Sequence, residues 1–447
     1  MKTKVAPVDE MLPKGQLFTY GLQHVMAMYA GAVAVPLIIA NALGLPHEQL
    51  IYLIQCDLVV GGIATLIQAL GVWNMGIKSP IMQGVSFAAV APMILVGKTH
   101  GLPGIFGSTI AAGVIGYILS PYFSKLIRFF PKVVTGTIIT LIGVSLLPVA
   151  VRWAGGGNPA AADFAALPNL ALTFAVLAIV IVLYRTLSGF WSNIAVLLGL
   201  VAGTLLAIPL GMVNFSQVAA AAWFSVVSPL AFGLPVFDIT SILSMTLAFL
   251  VIMTETTGDI IAVGEIVDKP VTKDDLARGL RADSFSTLLG GIMNTFPHSA
   301  FAQNVGLLAL SGIRSRYVVV AAGLILGGLG LFPKAAAVVA AIPNPVLGGA
   351  GIAMFGMVAT SGIRTLAKVQ FDGNHNAMIV AVSLGIGLIP LAAPDFYHKL
   401  PQFAQMILHS GITAGSVVAL LLNYFFNECG KKAPDPTEEA QTAGNHC

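Results

Sequence analysis

Charge is what this 447-residue chain has least of: only 9% of its residues are Asp, Glu, Lys or Arg, against 57% hydrophobic residues and a mean hydropathy of +0.89. So few ionised groups cannot cover a water-soluble globule, and the composition is that of a polytopic membrane protein with lipid around it. A formal balance of +3, with basic residues scattered along the chain, excludes a nucleic-acid binder. Cysteine is scarce too. Cys56, Cys429 and Cys447 lack metal-ligand spacing, so neither a disulfide scaffold nor a zinc site follows, and no metal or cofactor is expected. Enzyme signatures are also missing. There is no GxSxG, and His47-Glu48 is followed by Gln49, Leu50 and Ile51, without the second His of a zinc protease. Residues 1–15 contain no apolar stretch with a small-residue cleavage site, so they are expected to be a retained cytoplasmic tail.

What the chain does have is apolar runs. They cover approximately residues 16–40, 49–70, 80–97, 102–122, 133–151, 170–183, 193–212, 241–263, 284–293, 301–310, 317–341, 346–363, 377–393 and 406–426, which makes fourteen segments. With both termini inside the cell membrane, 18 of the 22 Lys and Arg residues fall on the cytoplasmic side. Lys98, Arg152, Lys334 and Lys399 remain outside. One span more or fewer near the middle would scramble that bias. Two interrupted segments occupy matching places in the two halves, residues 79–92 (SPIMQGVSFAAVAP) and 296–306 (FPHSAFAQNVG). Such a pair points to inverted repeats with a site between them. The fold expected is therefore all-α and polytopic, two inverted repeats of seven spans, with broken or strand-like elements in spans 3 and 10.

Residues 296–316 (FPHSAFAQNVGLLALSGIRSR) are too polar for an ordinary span and too apolar for an ordinary loop. Lipid offers no partner to unpaired backbone groups, so Pro297, His298, Ser299 and Ala300 are expected to line a cavity inside the protein. The apolar run after Gly306 is about half a span, and a half-helix there aims its positive N-terminal end at the cavity. Gln303 stands at that end with a carboxamide that both donates and accepts, which suits the edge of a purine or pyrimidine.

Ionisable groups within the spans are His24, Asp57, Glu255, Asp259 and Asp283. An acid at mid-span costs on the order of 3 kcal/mol, so each needs a partner or a task. Glu255 and Asp259, four apart in ETTGD, share one face of a helix and repel each other, so at least one is expected to carry a proton at neutral pH. That is the chemistry of a proton-coupled site. Asp283 follows a basic stretch and fits a helix-end role as well as a functional one. Asp57 lies toward a span end and reads as structural. For His24, an internally satisfied core histidine and a ligand contact both fit.

QNVGLLALSG (Gln303 to Gly312) resembles the signature of the nucleobase-ascorbate transporter family, with Ser311 where Thr is usual. The likeness extends from LQHVMAMYAG through QGVSF, ETTGD and RADS to VLGGAGIAMFGMVATSGIR. Carried over by position, it implies that Glu255 and Gln303 hold the nucleobase, that Ser86 and Phe87 face it from the strand of the third element, and that Ala302 meets it through its backbone. His24, Asp259, Asp283 and Asn304 match residues that support the site or couple it to protons. The resemblance further implies a core domain (residues 16–122 and 241–342), a gate domain (123–240 and 343–426), a cytoplasmic C-terminal tail (427–447), a homodimer and proton symport. Gln at 303 resembles the purine branch, whose substrates are xanthine and uric acid. Val305 is similar to urate carriers, Asp259 and Gly312 to xanthine carriers. Alternatives are a uracil or other nucleobase permease, an anion transporter of the same architecture and, from other classes, a channel or a membrane-embedded enzyme.

Overall fold

The computed structural model describes residues 6–126, 129–401, 404–405 and 408–429. The start of the last expected span at Met406, most of the C-terminal tail with Cys447, and Lys2, Lys4, Arg128, Lys431 and Lys432 lie outside the described residues.

Long apolar runs become long helices: α1 (Lys14–Leu43), α2 (His47–Leu70), α3 (Val90–Leu119), α4 (Lys132–Ala154), α5 (Leu167–Thr186) and α6 (Ala195–Ala207) in the first half. The second half contributes α7 (Ile239–Ile266), α8 (Lys273–Ile292), α9 (Ala302–Ser311), α10 (Arg316–Gly330), α11 (Pro333–Ala340), α12 (Asn344–Leu366), α13 (Asn376–Ala392) and α14 (Gly411–Asn423). Two three-residue strands, β1 (Gln83–Val85) and β2 (His298–Ala300), pair antiparallel with Gln83 opposite Ala300 and Val85 opposite His298.

Among the described residues, seven helices are long and apolar enough to cross a membrane, or eight if α10 and α11, bent by 79° at their junction, form one crossing. The fourteen segments of the sequence are thus not fourteen full-length helices. The third and fourth run together in α3, which turns at Gly101, where φ is 63° and ψ −165°, beside Pro103. That conformation is open to glycine alone without strain. α6, α9 and α14 have only 13, 10 and 13 residues.

The ninth segment is longer than its hydropathy indicates. The stretch from Lys273 to Arg281, read as a basic loop, is the first half of α8, started by Thr272, whose hydroxyl accepts from Asp275 N–H while the Asp275 carboxylate accepts from Thr272 N–H. Asp283 consequently sits in mid-helix, not at a helix end. Asp57 is likewise well inside α2 and buried.

Packing is nearly unchanged when the halves are exchanged. α2 packs on α10 as α8 packs on α3; α1 packs on α10 as α7 packs on α3; α5 meets α6 and α12 as α13 meets α14 and α4. With the antiparallel pairing of β1 and β2, this is the arrangement of inverted repeats. α1–α3 gather with α7–α11, and α4–α6 gather with α12–α14.

Candidate functional site

The site is built on the ribbon of β1 and β2. Its hydrogen bonding extends past the strands: Ser86 N–H donates to the Pro297 carbonyl at 2.9 Å, and Phe301 N–H donates to the Met82 carbonyl at 3.0 Å. Residues 297–300, expected to line a cavity, are instead buried in this ribbon: the Pro297 carbonyl accepts across it, while the His298 and Ala300 N–H groups donate to the hydroxyls of Thr287 and Thr256. Each strand then feeds a helix, β1 into α3 and β2 into α9. The positive ends of two half-helices therefore lie at opposite ends of a ribbon roughly 10 Å long.

Ser86 and Phe87 are not in the strand. They follow it, with the Ser86 hydroxyl accepting from Ala88 N–H at 3.3 Å to cap a short 3-10 turn, so the polar ladder ends and a helix begins. Phe87 is half-buried and its ring meets Phe355 of α12 edge-on, at 5.9 Å between centroids. Ala302 and Gln303 open α9 and are exposed, as is Gly306 one turn on.

α7 is tied to the ribbon one residue beyond Glu255. Ala300 N–H donates to Thr256 Oγ1 at 3.1 Å, which holds this part of α7 close to the start of α9. Glu255 and Asp259 are half-buried, and neither has a hydrogen-bond or ion-pair partner among the described residues. Gly258, Ile261 and Glu265 continue an exposed stripe along α7 to the end of the molecule where residues Pro7–Asp9 dock through the Asp9–Arg316 ion pair at 2.7 Å.

Three other candidates support the frame. The Asn304 amide donates to His24, 2.8 Å to its carbonyl oxygen and 3.1 Å to Nδ1, and so fastens α9 to α1; both residues are buried. Asp283 accepts from Gln83 Nε2 at 2.7 Å, and Gln83 N–H donates to Thr65 Oγ1 at 3.0 Å, so α8 and α2 fix β1.

Residues that the sequence reading did not single out also belong here: Gln83, Thr256, Phe301 and two glycines. A Cβ on Gly84 would stand 2.7 Å from the Phe301 ring, and one on Gly31 would stand 2.9 Å from it, so the ring is clamped where no larger residue fits. Gln83 and Gly84 lie in QGVSF, Thr256 in ETTGD, Gly31 in LQHVMAMYAG and Phe301 in FPHSAFAQNVG, where nothing in the residue types sets them apart from their neighbours.

Chemically, the groups at least partly exposed here are the Glu255 and Asp259 carboxyls, the Gln303 carboxamide and the N-terminal end of α9. Among the described residues no Lys or Arg pairs with these acids. A proton, water or a donor from a ligand can satisfy Glu255, which is half-buried and has no partner among the described residues.

This fold and site define a polytopic membrane transporter of interleaved inverted repeats, and solved structures of that class share it. Similar folds are the transmembrane domain of the cyanobacterium bicarbonate transporter BicA (TM-score 0.59, 15% identity, 93% of this chain and 99% of that one) and SLC26A9 (TM-score 0.61, 12% identity, 93% and 66%). Residues 15–396 match the model described as Permease family, and the chain belongs to it: the nucleobase-ascorbate transporter family, whose members are permeases and not enzymes. Relatives are the uric acid transporter UacT of Escherichia coli (strain K12), 47% identical over 94% of this chain and 88% of that protein, and the xanthine permease of Bacillus subtilis (strain 168), 44% identical over 93% and 95%. The nucleobase transporter PlUacP of Paenibacillus larvae is 45% identical over 96% and 98%.

Proposed function

We propose that the chain takes up a purine nucleobase, uric acid or xanthine or both, by alternating access coupled to protons. One observation carries this reading: Glu255, without a hydrogen-bond or ion-pair partner among the described residues, precedes Thr256, which ties α7 to Ala300 just ahead of the exposed half-helix start at Ala302 and Gln303. Such a site suits a flat, uncharged or protonated ring with N–H donors and carbonyl acceptors, and it repels a simple anion whenever Glu255 is ionised. Glu255 and Gln303 hold the edge of the ring, the N–H groups of Ala302 and its neighbours bind a carbonyl, and Ser86 and Phe87 bound its other side. His24, Asn304 and Asp283 keep the frame in place, and Asp259 tunes Glu255. The names of the relatives support the purine class.

In this reading the group of α1–α3 and α7–α11 (residues 16–122 and 241–342) carries the site as a core past a gate (residues 123–240 and 343–426). The exposed stripe along α7 leads to the cytoplasm, where both termini lie, and the protein works in the cell membrane as a homodimer. Uptake of labelled xanthine, uric acid, hypoxanthine, guanine and uracil by cells expressing the chain, with and without a protonophore, tests the reading. Preference for the first two, abolished by the protonophore, is expected. Preference for uracil, or steady uptake insensitive to protonophore, contradicts it.

A further inference from the structure

A second pair of buried titratable groups lies behind the ribbon. Alternation along β2 puts the side chains of His298 and Ala300 on one face, the face that carries Gln83 of β1. There His298 is fully buried, its N–H donates to Thr287 Oγ1 at 3.1 Å, and its Nδ1 lies 2.8 Å from the Phe296 carbonyl oxygen. A carbonyl only accepts, so Nδ1 holds a proton and Nε2 of the neutral ring is a bare acceptor. Nε2 is enclosed and has no hydrogen-bond partner among the described residues. What faces it, at 3.8 Å, is Oδ1 of Asp57, which is 2% exposed and accepts the Thr295 hydroxyl at 2.8 Å.

Two acceptors that face each other in a closed place lack one proton between them. A proton on either atom, with less than ~1 Å of closure, turns the contact into a hydrogen bond of ordinary length. The other titratable groups nearby are Cys56, adjacent on α2 and buried, and Asp283 of α8, held by Gln83 on the same ribbon face. From α3, Phe106 packs on Phe296. Among the described residues no Lys or Arg pairs with Asp57.

We infer that Asp57 and His298 form a proton-binding site separate from Glu255 and Asp259, holding one proton between α2 and the ribbon. The bound proton positions β2, and through it the start of α9. Asp57 is thus a positioning residue: it touches no substrate.

The test is nitrogen-15 NMR of the full-length protein in nanodiscs, with ring-labelled histidine, from about pH 5 to about pH 9. The His298 signals are identified by their loss in His298→Gln, or in His298→Asn if the first variant does not assemble. The wild type is expected to show a protonated Nδ1 and a hydrogen-bonded Nε2 whose shift moves with pH. Asp57→Asn supplies a permanent amide donor to Nε2 and is expected to keep the bonded signal while abolishing its movement. A bare Nε2 at every pH in the wild type, or the same titration in Asp57→Asn, overturns the proposal. Because the readout is the ring itself, it is independent of which substrate the chain carries.

Discussion

Gln303 and Glu255 differ in what their replacement removes. Gln303→Glu exchanges an amide donor for an acceptor, so it changes which purines bind besides weakening them. The cost is ~1–3 kcal/mol per group left unpaired, about one to two orders of magnitude in affinity. Competition of unlabelled purines against labelled uric acid checks this, and an unchanged profile sinks the role. Glu255→Gln keeps size and some hydrogen bonding but removes the titratable proton, so binding weakens and its dependence on pH near the wild-type transition disappears. Asp259→Asn removes only a repelling neighbour and does less damage. These acids were legible from sequence because a carboxyl in an apolar run is conspicuous. Thr256 and Gln83 were not, since hydroxyls and amides are common in membrane helices and only the fold shows that they bind Ala300 and Asp283.

The ribbon is the element on which the site depends, and its tolerances are steric. Gly84→Val places methyl groups against the Phe301 ring and Met28, an overpacking that costs ~1–3 kcal/mol. The expected result is protein that reaches the membrane and elutes as a single species from a sizing column, yet transports poorly. Normal uptake by that variant would show the ring to be free to move. Helix starts outside the membrane give a second check. The N–H of Ser241 and then its hydroxyl, at 2.8 and 2.9 Å, hold the Asp238 carboxyl below its ordinary range. A carboxylate depressed in this way stabilises the fold above its unfolded value near 3.9, and the stabilisation is lost as pH falls through the lower folded value. Asp238→Ala should therefore lower thermal stability at neutral pH by about 1 kcal/mol, and the difference should shrink as the pH falls through the lowered folded value. Hydropathy located both halves of the broken elements, but it cut α8 short because Lys273, Arg278 and Arg281 read as loop. The capping box TKDD at its start was the cue that outweighs hydropathy.

At the scale of the whole molecule, the apolar runs and the sidedness of Lys and Arg made a repeated membrane fold legible. The chain order alone did not reveal that α2 packs on α10 or α8 on α3, because interleaving is a property of how the halves dock. That interleaving puts the ribbon, made of one strand from each half, at the junction of both. Any movement of one group of helices past the other carries Glu255 and Gln303 together. The account therefore rests on a single carrier whose proton and purine share one site. The measurement that tests it most directly is accumulation of labelled uric acid and xanthine in proteoliposomes under an imposed pH gradient, for wild type, Glu255→Gln and Asp259→Asn side by side. Wild type should concentrate at least one purine above equilibrium and lose it when the gradient is collapsed, Asp259→Asn should concentrate it partially, and Glu255→Gln should only equilibrate. Undiminished accumulation by Glu255→Gln, or by wild type without a gradient, would contradict the account.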